Sequence, residues 1–216
     1  MPLHVAAQAG SRRVVGWLLE QGVRPDCRTR FVTPMHARQT PLHLAAAAGH
    51  TAVLETLLAA AAEVSVHDAQ RRSPLWLAAR HGRADAVGCL LARGADPESR
   101  DAQGRTPLHA ALLGPAARDS ATTPRAEAES WGSWDPAAAL RLLERGADPH
   151  ATCPKEPAGF TPLHRCVALG LTARPVAEAL VRAGADPALA DPREGLSARD
   201  RARAGDDSAS WEPLLN

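Results

Sequence analysis

The sequence predicts an all-α solenoid of short helical hairpins stacked side by side, and three observations carry that prediction. First, a four-residue string recurs as Thr40-Pro41-Leu42-His43, Ser73-Pro74-Leu75-Trp76, Thr106-Pro107-Leu108-His109 and Thr161-Pro162-Leu163-His164. The first two intervals are 33 residues and the third is 55, one period plus 22. Second, Gly94-Ala95-Asp96-Pro97, Gly146-Ala147-Asp148-Pro149 and Gly184-Ala185-Asp186-Pro187 mark the other end of the unit in fixed phase. Third, aromatic residues make up 3% of the 216 residues and tyrosine is missing, so interior bulk must come from Leu, Val and closely packed Ala. Thin helical layers suit that palette better than a sandwich or a barrel.

Each part of the unit has a physical reason. The Thr or Ser is a good N-cap, because its hydroxyl accepts an orphan backbone N–H. The proline after it occupies the first helical position, where a missing donor costs nothing. Leu42, Ala45 and Ala46 then give a short first helix with one narrow apolar face. A break at Gly49-His50 leads into Val53, Leu54, Leu57 and Leu58, which share a face at helical spacing. The Gly of Gly-Ala-Asp-Pro ends this second helix in a left-handed conformation, and the proline prevents its continuation. Segments such as Asp101-Ala102-Gln103-Gly104-Arg105 are turn chemistry leading to the next cap.

These residues resemble the ankyrin repeat. Asp101 through Pro107 with Leu108-His109, and Ala78-Ala79 through Gly82, Leu90-Leu91 and Gly94-Ala95-Asp96, follow that family's consensus almost position by position. The resemblance covers nearly the whole chain and implies helix–loop–helix units with a β-hairpin-like finger between neighbours. It is read as a single domain over 1–216, with units at 2–34, 35–67, 68–100, 101–155 and 156–190 and a degenerate terminal half-unit at 191–215. That last segment contains Gly195-Leu196-Ser197-Ala198-Arg199-Asp200.

Several positions depart from the pattern. The first unit starts abruptly at Pro2, which suggests a truncated product or an isoform of a longer array. About six extra residues lie in the first finger around Arg28 to Val32. Ala61 replaces a helix-ending Gly, so that turn is expected to be less well defined. Trp76 replaces the repeat's His, so the third unit must satisfy the surrounding groups differently. Between the helices of the fourth unit lies an insertion of about nineteen residues, with Pro115 to Asp135 rich in Ala, Ser, Thr, Arg, Glu and Pro. That composition is expected to form a mobile surface loop.

Composition excludes several functions. The net charge is +1 from 25 basic and 24 acidic side chains, which lacks the cationic surplus of a nucleic-acid binder. No apolar run approaches the ~20 residues that span a bilayer, and no signal peptide is visible. The four cysteines form no evenly spaced framework, so reduced thiols in the cytosol or nucleus are expected. No phosphate loop, His-Glu-x-x-His, Gly-x-Ser-x-Gly or Cys-x-x-Cys occurs. His150, Cys153, His164 and Cys166 carry zinc-type ligand atoms, but His164 belongs to the repeat motif and Cys166 falls where a buried Ala is usual. His43, His109 and His4 are also read as motif residues. No catalytic residue, metal site or cofactor is therefore expected.

A solenoid offers a continuous concave surface. In ankyrin-like arrays it is lined by finger tips and exposed first-helix positions, which here map to Gln70, Arg72, Arg80, His81, Gln103, Arg105 and Phe160, with Arg38 and Arg71 nearby. The arginines in this set lack an acidic neighbour within it, and guanidinium forks suit carboxylates, so an acidic partner segment is expected. Trp131 and Trp134 in the inserted loop form a second candidate anchor. Trp17 and Trp211 read as packing near the array ends. The resulting expectation is a monomeric, non-enzymatic adaptor binding one or more proteins. The alternatives are a substrate receptor of a ubiquitin ligase, which would need a helical box beyond Asn216, and a metal-binding protein.

Overall fold

The computed structural model describes residues 1–29, 38–113, 135–153, 161–190, 195–204 and 208–215. Helices come in consecutive pairs: α1 (Pro2–Gln8) with α2 (Arg12–Glu20), α3 (Pro41–Ala48) with α4 (Thr51–Ala59), and α5 (Pro74–Arg80) with α6 (Ala84–Ala92). They continue as α7 (Pro107–Ala111) with α8 (Pro136–Glu144), α9 (Pro162–Leu169) with α10 (Arg174–Arg182), and α11 (Ala198–Ala204) with α12 (Ser208–Leu215). A 3-10 turn, Gly170–Ala173, joins α9 to α10. First helices pack on first helices from α1 to α7 and from α9 to α11, and second on second from α2 to α10. The described residues contain one isolated bridge, Ala190 to Ser197, and no longer strand pairing.

The caps explain why helices begin where they do. Thr106 and Thr161 each accept a hydrogen bond from the backbone N–H of the histidine three residues on. The histidine returns the bond, its Nδ1 accepting from the backbone N–H of the cap residue, as His43 does from Thr40 at 3.1 Å. The opposite nitrogen donates to the next unit, His43 Nε2 to the Arg72 carbonyl at 3.1 Å and His164 Nε2 to the Leu196 carbonyl at 3.1 Å. His43 and His164 thus each close their own helix and tie it to the next unit. His4 does the second job, reaching the Gln39 carbonyl at 3.2 Å.

The terminal segment, read above as half a unit, holds two helices packed on each other. Its cap uses a carboxylate in place of imidazole. Asp200 Oδ2 accepts from the Ser197 backbone N–H at 3.0 Å, and the Asp200 N–H donates to Ser197 Oγ at 3.1 Å. Trp211 and Leu215 are buried there, as expected of packing residues.

The core is a thin sheet of Leu, Val and Ala running the length of the stack. Leu42, Leu54, Leu57, Leu75, Leu90, Leu108, Leu142, Leu163 and Leu180 are fully buried, with Ala45, Ala46, Ala78 and Ala79 allowing close helix approach. Cys89 is half-buried against it, while Cys166 lies fully inside, its thiol pushed well up by burial.

The turn at Ala61 corrects an expectation. Ala61 takes φ +61°, the conformation Gly94 takes at φ +83°. Its bonds match those at Gly94: Ala62 N–H reaches the Leu57 carbonyl at 3.0 Å, as Ala95 N–H reaches Leu90 at 3.0 Å. Tertiary packing of Ala62, which is buried, holds the turn against a left-handed strain of roughly 1 kcal/mol. Ala61→Gly is expected to raise stability by about 1 kcal/mol, read as a higher urea midpoint at unchanged m-value. A midpoint that falls would show that the turn is unstrained.

The insertion expected at 115–135 falls almost wholly on residues 114–134, outside the described residues. Asp135 is the N-cap of α8, its Oδ1 accepting from the Ala137 N–H at 2.9 Å.

Candidate binding surface

The candidate surface is built from two fingers of the same design. Asp68-Ala69-Gln70-Arg71-Arg72 and Asp101-Ala102-Gln103-Gly104-Arg105 lie 33 residues apart. In the first, Asp68 Oδ1 accepts from the Gln70 and Arg72 backbone N–H groups, both at 2.9 Å. Its Oδ2 accepts from Arg72 Nε at 2.8 Å, with the terminal Nη2 at 2.7 Å. In the second, Asp101 Oδ1 accepts from Gln103 at 2.9 Å and Arg105 at 2.8 Å, while Oδ2 takes Arg105 Nε at 2.8 Å. Each arginine also donates to the glutamine of its own finger at 3.3 Å. The fingers are joined by Ala102 N–H to the Gln70 carbonyl at 2.8 Å.

This overturns the reading of Arg72 and Arg105 as basic groups without an acidic neighbour. Both are held by fully buried carboxylates, and their side chains are only 14% and 11% exposed. Their charge is neutralised within the finger, and their role is to fix its shape. The signal was in the sequence: an Asp four residues before each Arg, repeated at the period of the array.

Trp76 completes the arrangement. Its ring, 3% exposed, has both guanidiniums over it, at 5.8 Å from Arg72 and 5.4 Å from Arg105. A cation over the ring is favourable electrostatically. The hydroxyl that a histidine would have met is satisfied instead by Ser99 Oγ at 3.0 Å, and it accepts from the Trp76 N–H at 3.1 Å. Trp76, Leu77, Ala110 and Leu113 form an apolar cluster separate from the main core, with Ala47 against it.

At the C-terminal end of α5, Arg80 is half-buried and Nη1 donates to the Leu113 carbonyl; His81 beside it is half-buried. Gln70 is half-buried and Gln103 exposed. Phe160, Trp131 and Trp134 lie outside the described residues. Two exposed arginines stand at the finger tips, Arg38 and Arg71, with φ +63° and +59°. They occupy the place that Gly104 takes in the next finger at φ +87°.

Among the described residues, no group of three His, Cys, Asp or Glu side chains is placed to hold a metal ion. His164 bonds with both nitrogens, and Cys153 Sγ donates to the Gln103 carbonyl at 3.3 Å. No helix in the described residues is long and apolar enough to cross a membrane.

Sequence profiles agree with this architecture. The profile for ankyrin repeats in three copies matches residues 3–101 and 42–120, and the profile for a single ankyrin repeat matches residues 158–192. The chain belongs to the ankyrin-repeat family. Ankyrin repeats generally mediate protein–protein interaction and are typically non-enzymatic modules. A search of curated proteins found no match.

Proposed function

We propose that this protein is a non-enzymatic adaptor that holds an acidic segment of a protein partner along its finger tips and first helices. The observation that carries the reading is the pair Arg38 and Arg71. Each is an exposed arginine in a left-handed conformation that glycine adopts freely, and the next finger does use glycine. A side chain there costs about 1 kcal/mol, and strain held at an exposed position points to function. Arg80 and His81 extend the basic edge, and Gln70 and Gln103 supply amides beside it. The Asp–Arg pairs and Trp76 make the ledge rigid, so little ordering entropy opposes binding.

Trp131, Trp134 and Phe160 belong to the same proposal as further anchors. None of the four cysteines is paired with another, which fits a cytosolic or nuclear setting.

The test is the double variant Arg38→Gly with Arg71→Gly. Thermal stability is expected to be equal or slightly higher, because strain is removed, while affinity capture of the partner falls severalfold and loses its salt dependence. Capture that is undiminished in this folded variant would remove the acidic-segment reading.

A further inference from the structure

The two fingers engage their acceptors internally. The Gln70 carbonyl takes the Ala102 N–H at 2.8 Å, the Arg72 carbonyl takes the Asp68 N–H at 3.0 Å, and the Arg105 carbonyl takes the Asp101 N–H at 3.1 Å. The Gly104 carbonyl accepts from Arg100 Nη1 at 2.9 Å, and both finger carboxylates are fully buried. Gln103 is exposed, yet its backbone N–H is held by Asp101, its backbone carbonyl by Cys153 Sγ and its Oε1 by Arg105 Nη2 at 3.3 Å. A guanidinium has donors only, so the amide turns its oxygen toward Arg105 and its NH2 group away from it. Gln70 is turned the same way by Arg72, again at 3.3 Å, one repeat earlier. Arg105 is itself fixed by the buried Asp101 carboxylate, so the amide is aimed before anything binds. Among the described residues nothing accepts from the Gln103 NH2 group.

We infer that Gln103 is a specificity-determining residue of the finger surface, its Nε2 donating to a side-chain carboxylate of the partner. The inference rests on the acidic-segment reading and sharpens it. Arg38 and Arg71 attract negative charge over about a Debye length, ~8 Å. Gln103 adds a short-range requirement for an acceptor at one point, made by a group whose orientation is already set. A lysine, an arginine or an N–H presented there would set donor against donor. The neighbours leave room for the contact, since Ala102 precedes Gln103 and Gly104 follows it.

Fluorescence anisotropy on the full chain with labelled deca-glutamate, which offers a carboxylate in every register, tests this. Gln103→Met keeps the side-chain length and removes the donors without changing the charge. It should weaken binding by roughly threefold to tenfold, the effect of one net hydrogen bond, and leave the salt dependence as it was. Gln103→Glu keeps an acceptor for Arg105, so circular dichroism and the thermal midpoint should match the unvaried chain. Its second oxygen faces the peptide, so binding should weaken beyond that of the methionine variant. Full affinity in Gln103→Met overturns the inference; if Arg38→Gly with Arg71→Gly still loses binding, the acidic-segment reading stands without it. Tighter binding by Gln103→Glu overturns it as well, by showing that the position meets a donor. Deca-glutamate that does not bind the unvaried chain overturns the acidic-segment reading and this inference together.

Discussion

Asp101→Ala is expected to destabilise the protein by about 3 kcal/mol. The carboxylate is fully buried, and it accepts hydrogen bonds from the Gln103 and Arg105 backbone N–H groups and from Arg105 Nε. Truncation leaves two backbone donors and one guanidinium, only 11% exposed, without their acceptor. Breaking a buried pair by removing one partner costs more than the pair contributes, because the surviving charge is uncompensated. Asp101→Asn keeps an acceptor for the backbone groups but loses the charge, so about half the effect is expected. Asp68→Ala should follow the same mechanism in the neighbouring finger. Urea denaturation measures all three, and a loss below about 1 kcal/mol for Asp101→Ala would mean the finger is held by something else. The same variant should weaken partner capture, since the Gln70–Gln103 edge is shaped by these bonds.

The period, the caps and the left-handed helix stops were legible because each is a local rule that the chain repeats. Thr-Pro-Leu-His carries its cap, first helical position, core residue and cross-unit bond within four residues, and all are realised at Thr161 to His164. What escaped was set by neighbours rather than by local chemistry. Ala61 looked like a poor stop, yet burial of Ala62 forces the turn. Trp17 stands at a helical position that reads as packing, yet it is 59% exposed on α2. Arg72 and Arg105 were mapped correctly to the fingers and misread in role, because a phase argument places a residue without saying where its charge goes.

The preference for arginine over lysine has a structural reading as well. Arg28 donates to the His67 carbonyl at 3.3 Å, Arg83 to Ala47 at 3.2 Å, and Arg165 to Leu112 at 3.4 Å. Arg100 reaches both the Gly104 and Thr152 carbonyls, at 2.9 and 2.8 Å. Each of these bonds links one unit to the next. A flat guanidinium, more weakly hydrated than an ammonium, suits such partly buried carbonyl contacts. The composition of one lysine among 25 basic residues thus follows partly from interface bonding along the stack.

Acid is expected to weaken the fold before carboxylates titrate, and His43 is the main reason. Burial lowers its pKa from 6.5 to about 4, while Asp68 and the bond to the Arg72 carbonyl oppose the shift and the Arg72 and His67 charges add to it. The bonding explains the direction independently. Nδ1 accepts from the Thr40 N–H at 3.1 Å and Nε2 must donate to the Arg72 carbonyl, so the ring is neutral with its proton on Nε2. A proton added to Nδ1 would face the Thr40 N–H, with only the Thr40 hydroxyl at 2.9 Å left to accept it. The unfolded chain takes up that proton near pH 6.5 and the native state only near pH 4. Between those values the unfolded state binds more protons, so stability is full above the window and falls with pH through it, by about 3 kcal/mol in total. His4, lowered chiefly by burial, acts with the same sign. Urea midpoints measured from pH 7 to pH 4 check this. His43→Gln should reduce the slope by close to one proton's worth across the window, whatever it does to absolute stability, and an unaltered slope would place the acid sensitivity elsewhere.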